Sequence, residues 1–257
     1  MPDIRIWQVF VLSLVILWLG ILVGVWARST HSDVIESESK VLTVLEGALL
    51  TLFGLLMGFT FSMAVSRYDM RKLLVVTEAN TIGTTWLRTA TLAEPERTEE
   101  QNLLRQYVQA RILYHAQFHE PKELAGTQEQ VDRLQAQMWA VVSNYATDHR
   151  DAITSLYLQT LNQTIDVSEE RVAADENRIP LEAWVILLFV GFMSTMVVGT
   201  KMGRNSWLLQ SILPVVLATT LALTLDLDSP KFGFIRINQI PIEKVAQDMG
   251  RLPQQAP

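Results

Sequence analysis

The sequence contains no cysteine and comparatively little charge. Only 19% of its 257 residues are Asp, Glu, Lys or Arg, below the roughly 25% of an ordinary soluble domain. The missing cysteine excludes disulfide bonds, thiolate metal sites and cysteine nucleophiles. Acidic residues outnumber basic ones by 27 to 21, and the formal net charge is −6. We therefore predict no nucleic-acid partner, because such binding depends on neutralising phosphates.

Sequence signatures of catalysis are also missing. The chain has no glycine-rich phosphate loop, no HExxH metal motif and no G-x-S-x-G nucleophile motif. Acidic residues scattered over polar helices usually form a solvated face rather than a catalytic pair. We therefore predict that the protein is not an enzyme and that it uses no cofactor.

Four long apolar runs account for most of the hydrophobic residues. They cover residues 6–26, 41–66, 181–200 and 206–225. About twenty helical residues, rising 1.5 Å each, cross roughly 30 Å of hydrocarbon. We therefore predict four transmembrane helices. A cleaved signal peptide explains the first run less well, because the run is too long and no small-residue cleavage site follows it.

The distribution of Lys and Arg near these runs predicts the orientation of the chain. One side of the membrane holds both termini and the segment between runs two and three, and the other side holds the two short connections. The first side has nine basic residues near the runs: Arg5, Arg67, Arg71, Lys72, Arg171, Arg178, Lys231, Arg236 and Lys244. The second side has four: Arg28, Lys40, Lys201 and Arg204. Basic residues are retained in the cytoplasm, so we predict cytoplasmic N- and C-termini.

The segment between runs two and three, residues 67–180, is polar. It holds 12 basic and 17 acidic residues, little proline or glycine, and apolar residues at helical spacing. This pattern predicts helices rather than strands, with Thr98 and Thr127 as helix starts of the capping-box kind. No helix breaker separates the second run from residue 92, so we predict one long helix there. The expected architecture is an all-α membrane protein in which a cytoplasmic helical bundle is inserted between spans two and three.

The corresponding domain division has four parts. Residues 1–66 hold transmembrane helices one and two, and residues 67–180 form the cytoplasmic domain. Residues 181–225 hold transmembrane helices three and four, and residues 226–257 form a cytoplasmic C-terminal segment whose end we expect to lack a helix.

The second run carries a stripe of small residues. At about 100° per residue they fall within an arc of about 100° on a helix. The stripe comprises Thr43, Gly47, Thr51, Gly54, Gly58 and Ser62. Small residues allow close packing of membrane helices, and the same stripe is suitable for lining a pore or an oligomer interface. Both interpretations place this helix at the centre of the protein rather than in lipid.

Four side chains of this run are candidates for controlling ion passage. Phe53, Met57 and Phe61 lie beside the small-residue stripe, where rings of them would form an apolar constriction that gates by dewetting. Glu46 is the ionisable residue furthest inside an apolar run. A buried carboxylate in a membrane usually faces a cavity or a partner, and a ring of them attracts cations.

Charged residues next to the spans have two interpretations. Arg67, Arg71 and Glu78 share one face of the predicted long helix, and Asp226 and Asp228 directly follow the fourth span. The aspartates could pair with Arg67, Arg71 or Arg236 and join the membrane helices to the cytoplasmic ones. Alternatively, these groups line a cytoplasmic vestibule or an ion site.

The strongest metal-binding pattern is His115 and His119, which are four residues apart on a predicted helix. This spacing can place two imidazoles on one ion. A pair without further nearby ligands is a weak signal, so we predict no metal site.

Several short motifs together resemble a widespread bacterial membrane family that is described as bestrophin-like. They extend between residues 54 and 241. The motifs are Arg67-Tyr68-Asp69-Met70-Arg71-Lys72, Glu78-Ala79-Asn80-Thr81-Ile82-Gly83-Thr84, Leu87-Arg88, Leu161-Asn162, Asp166, Arg171, Ile179-Pro180, Trp184, Asp226-Leu227-Asp228-Ser229-Pro230, Gly233 and Ile235-Arg236.

The resemblance implies a four-span protein of the bacterial inner membrane with a cytoplasmic helical domain between spans two and three. The bestrophin label further implies a pentameric anion channel whose pore is lined by the second span. Glu46 is at odds with anion selectivity, because a carboxylate near a pore mouth repels anions. The first hypothesis is therefore a homo-oligomeric channel or passive transporter for inorganic ions in the lipid bilayer. The alternative is a non-conducting scaffold or sensor whose cytoplasmic domain binds a protein partner.

Overall fold

The helices of the protein follow the apolar and polar segments of the sequence. The structure is a computed structural model that describes residues 6–117, 121–202, 207–230 and 233–251, and these residues include no β-strand. Its helices are α1 (Ile6–Thr30), α2 (Ser32–Ser37), α3 (Ser39–Thr89), α4 (Glu96–Ala116), α5 (Pro121–Asp148), α6 (Ala152–Glu176), α7 (Leu181–Gly199), α8 (Trp207–Asp228) and α9 (Ile240–Arg251). The prediction of an all-α fold is confirmed.

Four helical stretches are long and apolar enough to cross a membrane. They lie in Ile6–Thr30, Ser39–Thr89, Ala152–Gly199 and Trp207–Asp228. The third stretch is interrupted after α6, and its apolar part is α7, which begins one residue after Pro180. Residues 177–180 separate the two helices, and Pro180 immediately before α7 is at a position that proline favours, because it lacks an N–H group. The four predicted transmembrane helices are therefore confirmed.

Helix α3 is continuous over 51 residues. At 1.5 Å per residue it is about 75 Å long, more than twice the hydrocarbon thickness of a bilayer. The prediction of one long helix from the second run is confirmed. Gly83 lies inside this helix. An isolated glycine lowers the stability of a helix by only about 1 kcal/mol relative to alanine, and this cost does not end a helix by itself.

The chain divides into two compact units. We call residues 1–68 and 178–236 the membrane unit, and residues 69–177 and 237–257 the inserted unit. Residues on either side of Arg236 belong to different units, and the four-part domain division given above stays a prediction. In the membrane unit, apolar side chains of α1, α3, α7 and α8 form the core. Its buried members are Leu17, Phe53, Met57, Leu187, Val190, Leu217, Ala218 and Leu221.

Helices α1 and α7 cross at glycines that the sequence analysis did not single out. A Cβ atom added at Gly24 would lie 2.0 Å from the main-chain oxygen of Met196, and one at Gly199 would lie 2.4 Å from that of Ile21. Gly20 is similarly close to α7, with 2.3 Å between an added Cβ and the Thr195 Oγ1. The spacing of Gly20 and Gly24 is a GxxxG motif, which was the available signal for this close crossing.

Substitution of these glycines is expected to separate α1 from α7. Gly24→Ala should lower the free energy of unfolding by about 1–3 kcal/mol, because a methyl group at this position must displace main-chain atoms. Gly54→Ala is the matched control, since an added Cβ there meets no atom within 4 Å. Thermal denaturation in detergent measures both. A midpoint for Gly24→Ala equal to that of Gly54→Ala would contradict the close crossing.

The inserted unit has its own apolar core, built by α4, α5, α6, α9 and the second half of α3. Among its fully buried side chains are Ile82, Leu104, Met138 and Leu161. Helix α9 contributes Ile242 and Met249 to this core. We did not predict this helix from the sequence, because we interpreted the residues after Ile240 as a tail; Pro241 is the second residue of the helix, a position at which proline is tolerated.

Both predicted capping-box helix starts are wrong. Helix α4 begins at Glu96, so Thr98 lies inside it, where its main-chain N–H donates to Glu94 over 3.2 Å. Helix α5 begins at Pro121, and Thr127 lies almost two turns further on. Proline is favoured in the first turn of a helix because its missing N–H has no partner there in any case. The side chain of Thr127 instead donates to Gln117 Oε1 over 2.5 Å.

Candidate functional site

Two faces of α3 differ sharply in the membrane unit. The buried face carries Phe53, Met57, Thr60 and Ala64, each at most 7% exposed. At about 100° per residue, the predicted small-residue stripe lies on a different side of the helix. Its members Thr43, Gly47, Thr51, Gly54, Gly58 and Ser62 are all exposed.

The side-chain positions of the glycines in this stripe face open space in the part of the chain that the structure describes. A Cβ atom added at Gly47, Gly54 or Gly58 would meet no atom within 4 Å. Close helix packing was one of two interpretations of the stripe, and among the described residues that packing is made by Gly20 and Gly24 instead. The stripe is therefore available to another molecule or to water.

The apolar candidates for a constriction are divided between two environments. Phe53 and Met57 pack with Leu17 and Leu187 in the core of the membrane unit, whereas Phe61 is 36% exposed beside the stripe. A ring of Phe53 and Met57 around a shared axis would require both side chains to leave this packing. Of the three residues, Phe61 alone is on the exposed surface.

Glu46 forms an ion pair with Lys201, which lies two residues after the end of α7. The Lys201 Nζ also donates to Thr43 Oγ1 over 2.9 Å. The two charged side chains are 26% and 33% exposed, so the pair lies in a partly solvated place. This partner of Glu46 was not predicted from the sequence. The signal was present, because Lys201 was predicted on the same side of the membrane.

Asp226 and Asp228 at the end of α8 have structural partners inside the membrane unit. The Asp228 carboxylate accepts from the Ile179 main-chain N–H at 3.1 Å and pairs with Arg67 at 3.4 Å. Asp226 accepts from the main-chain N–H of Phe234 at 3.0 Å. A Cβ added at Gly233 would lie 1.8 Å from Asp226 Oδ1, so only glycine fits this turn.

Glu78 is the centre of a buried charge cluster in the inserted unit. Its Oε1 accepts from Arg111 Nε at 2.5 Å, and its Oε2 accepts from Arg171 Nη1. Arg171 Nη2 donates to Gln239 Oε1 at 3.0 Å. The three charged side chains are at most 5% exposed. Glu78 was a predicted site residue, whereas Arg171 was considered only for the membrane orientation and the family resemblance. Arg111 was not a predicted site residue because it occupies a position at helical spacing with apolar residues such as Val108.

Arg71 binds the end of α6. Its Nε donates to the Ala174 main-chain oxygen at 3.0 Å, and its Nη2 donates to that of Asn177 at 3.2 Å. The last carbonyl groups of a helix have no partner within the helix and carry its partial negative charge. Arg71 therefore satisfies main-chain carbonyl groups at the C-terminal end of α6.

His115 lies near the arginines of this cluster. Its pKa is well below the usual histidine value because it is buried and because Arg171 and Arg111 are nearby cations. The same positive charges oppose the binding of a metal cation. His119 lies outside the described residues, and within those residues no group of three or more metal-ligating side chains occurs.

Comparison with known proteins assigns the fold and the family. The chain is similar to a bacterial Bestrophin homologue from Klebsiella pneumoniae at 13% identity, with a TM-score of 0.62 over 94% of this chain and 96% of the other. A tryptophan-to-alanine variant of a Bestrophin homologue from that organism matches at 11% identity, with a TM-score of 0.62 over 94% of both chains. Such low identities show the fold alone. Comparison with curated protein sequences finds no match.

The family is shown by the sequence itself. The family model of the Bestrophin-like domain matches residues 9–242, which include three of the membrane-spanning helices in full and all but the first three residues of α1. The chain therefore belongs to the Bestrophin-like family.

Proposed function

We propose that the protein is a homo-oligomeric ion channel or passive transporter of the bacterial inner membrane, with cytoplasmic N- and C-termini. The exposed small-residue stripe of α3 lines the conduction path. The observation that carries this proposal is the open space around Gly47, Gly54 and Gly58, which form no packing contact within the protomer. An apolar helix in lipid gains nothing from exposed glycines, whereas a path for hydrated ions requires small side chains.

Exposed apolar residues in the inserted unit support a homo-oligomer. Met70, Leu73 and Leu87 on α3 are 54%, 59% and 66% exposed, and Ile153 and Leu156 on α6 are 55% and 47% exposed. A polar helical domain in water rarely leaves so many large apolar side chains uncovered. Second copies of the chain would cover them.

Accessibility of the stripe to water-soluble reagents tests the proposal. The chain has no cysteine, so Gly58→Cys introduces a single thiol. We expect a charged methanethiosulfonate reagent to block most of the current of Gly58→Cys in a planar bilayer. Phe59→Cys is the matched control: this neighbour is 63% exposed on the bulky apolar side of α3, where lipid excludes the reagent.

Two outcomes would contradict the proposal. Equal effects of the reagent on Gly58→Cys and Phe59→Cys would move the conduction path away from the stripe. Absence of current from folded and inserted protein, together with cross-linking to a different protein in native membranes, would favour the scaffold hypothesis.

The Glu46–Lys201 pair predicts opposite effects of two substitutions on ion selectivity. Glu46→Gln leaves the positive charge of Lys201, so the anion-to-cation permeability ratio should rise about two- to five-fold, as an electrostatic contribution of up to about 1 kcal/mol implies. Lys201→Gln should lower the ratio by a similar factor. Reversal potentials under a salt gradient measure both. The double substitution should restore the wild-type value, and a ratio unchanged in all three variants would remove the pair from the path.

A further inference from the structure

Two nitrogen atoms of Arg111 have no hydrogen-bond partner among the described residues, although its guanidinium lies over the Tyr114 ring, 5.2 Å from the ring centroid. The side chain of Arg111 is 0% exposed, and its Nε is occupied by Glu78. In the part of the chain that the structure describes, neither Nη1 nor Nη2 has a hydrogen-bond partner, although both are buried. Guanidinium groups buried in proteins are normally satisfied by acceptors, because desolvating a charge without compensation is costly.

The charges around Arg111 do not balance. The cluster contains two guanidinium groups, Arg111 and Arg171, and one carboxylate, Glu78, so it carries a net charge of +1. The remaining side-chain bond of Arg171 goes to the neutral amide of Gln239. No other carboxylate among the described residues pairs with either guanidinium. A buried ion pair is stable only when its remaining donors are also satisfied.

A third donor lies one helical turn from Arg111. Among the described residues the buried hydroxyl of Tyr107 makes no hydrogen bond, and its polar neighbours Ser168 and Gln135 are uncharged. Tyr107 and Arg111 are four residues apart and therefore share a face of α4. The unfilled groups are thus N–H and O–H donors, which bind anions rather than cations.

We propose that the inserted unit binds a small monovalent inorganic anion of the size of chloride between the Nη atoms of Arg111 and the Tyr107 hydroxyl. One negative charge neutralises the cluster. Complete burial favours a monatomic ion over a multiply charged oxyanion, which would bring more charge than the cluster can compensate. The inferred site lies in the inserted unit and does not depend on the proposed conduction path along α3.

Thermal stability in two salts tests the site in the full chain, purified in detergent. We expect the unfolding midpoint to be about 3–6 °C higher in sodium bromide than in sodium gluconate of equal ionic strength, when bromide is at ten times its Kd. The shift should saturate with bromide concentration. In crystals grown with bromide, an anomalous peak should lie within hydrogen-bond distance of Arg111 Nη1 or Nη2.

Three substitutions separate this site from a general salt effect. Arg111→Gln leaves a one-to-one Glu78–Arg171 pair and should abolish the bromide shift, whereas Tyr107→Phe should reduce it. Arg133→Gln, an exposed position on α5, is the control and should keep the full shift. If Arg111→Gln does not fold, the bromide shift of Tyr107→Phe and the anomalous map of the wild type still test the site. A bromide shift that persists in Tyr107→Phe and Arg111→Gln, equal midpoints in both salts, or a water without anomalous signal at Arg111 would overturn the proposal.

Discussion

Glu78→Gln is expected to lower the free energy of unfolding by about 3–5 kcal/mol, the usual cost of removing one partner from a buried ion pair. The substitution preserves the shape of the side chain but leaves Arg111 and Arg171 buried beside each other without a carboxylate. Both guanidinium groups are at most 5% exposed, so water cannot replace the lost charge. Within the inserted unit, this is the substitution for which we expect the largest loss of stability.

Chemical denaturation in detergent, followed by circular dichroism, measures this loss. Glu170→Gln is the matched control, because Glu170 is an exposed residue of α6 one position before Arg171. It should change the free energy of unfolding by no more than about 0.5 kcal/mol. Equal stability of the two variants would mean that the cluster contributes nothing to folding.

A second large effect is expected from the pH dependence of stability at Glu100. This residue of α4 is 0% exposed, and its Oε2 accepts a hydrogen bond from the Tyr157 hydroxyl at 2.8 Å. Its other oxygen, Oε1, has no partner among the described residues. Burial therefore raises the pKa of Glu100 to about 8, and the nearby Glu99 adds to this effect while the Tyr157 hydrogen bond opposes it.

Because its folded-state pKa lies above its unfolded value, Glu100 holds a proton in the folded state that it loses on unfolding near neutral pH. Its contribution to stability is complete at pH below about 4.5 and is lost as the pH rises through about 8. Between these values the free energy of unfolding should fall by up to about 1.4 kcal/mol per pH unit. Glu100→Gln should remove this slope and be more stable than wild type at pH 9.

Denaturation curves of wild type and Glu100→Gln at pH 5, 7 and 9 provide the comparison. Glu129→Gln serves as the control, since the Glu129 side chain is 74% exposed and should leave the slope unchanged. Parallel pH profiles for wild type and Glu100→Gln would show that Glu100 is ionised in the folded protein at neutral pH.

The elements that the sequence predicted correctly are those encoded by continuous stretches of chain. The four spans follow from uninterrupted apolar runs, and the single helix α3 follows from the lack of a breaker between residues 41 and 89. Hydropathy and helix propensity are local properties, so these predictions needed no knowledge of the packing. The resemblance to the Bestrophin-like family, which depends on short motifs, independently predicted the same four-span architecture.

The partners of the charged residues could not be predicted, because they depend on which helices come together. Glu78 is 33 residues from Arg111 and 93 from Arg171 in sequence. An arginine at an apolar position of a helical stripe, as Arg111 is, indicates a buried charge but not its partner. Likewise, Gly54 and Gly58 on α3 have the same four-residue spacing as Gly20 and Gly24 on α1. Only the fold shows that the first pair is exposed and that the second pair packs against another helix.

The division of the inserted unit between two stretches of chain has a consequence for biosynthesis. Gln239 completes the hydrogen bonds of Arg171, and Ile242 and Met249 fill the core of that unit. These residues emerge from the ribosome after α7 and α8, whereas α4, α5 and α6 emerge before them. Chains fold from the N-terminus as they are made. The last two spans are therefore synthesised while the core of the inserted unit is still open, and the unit is completed only after both spans have been made.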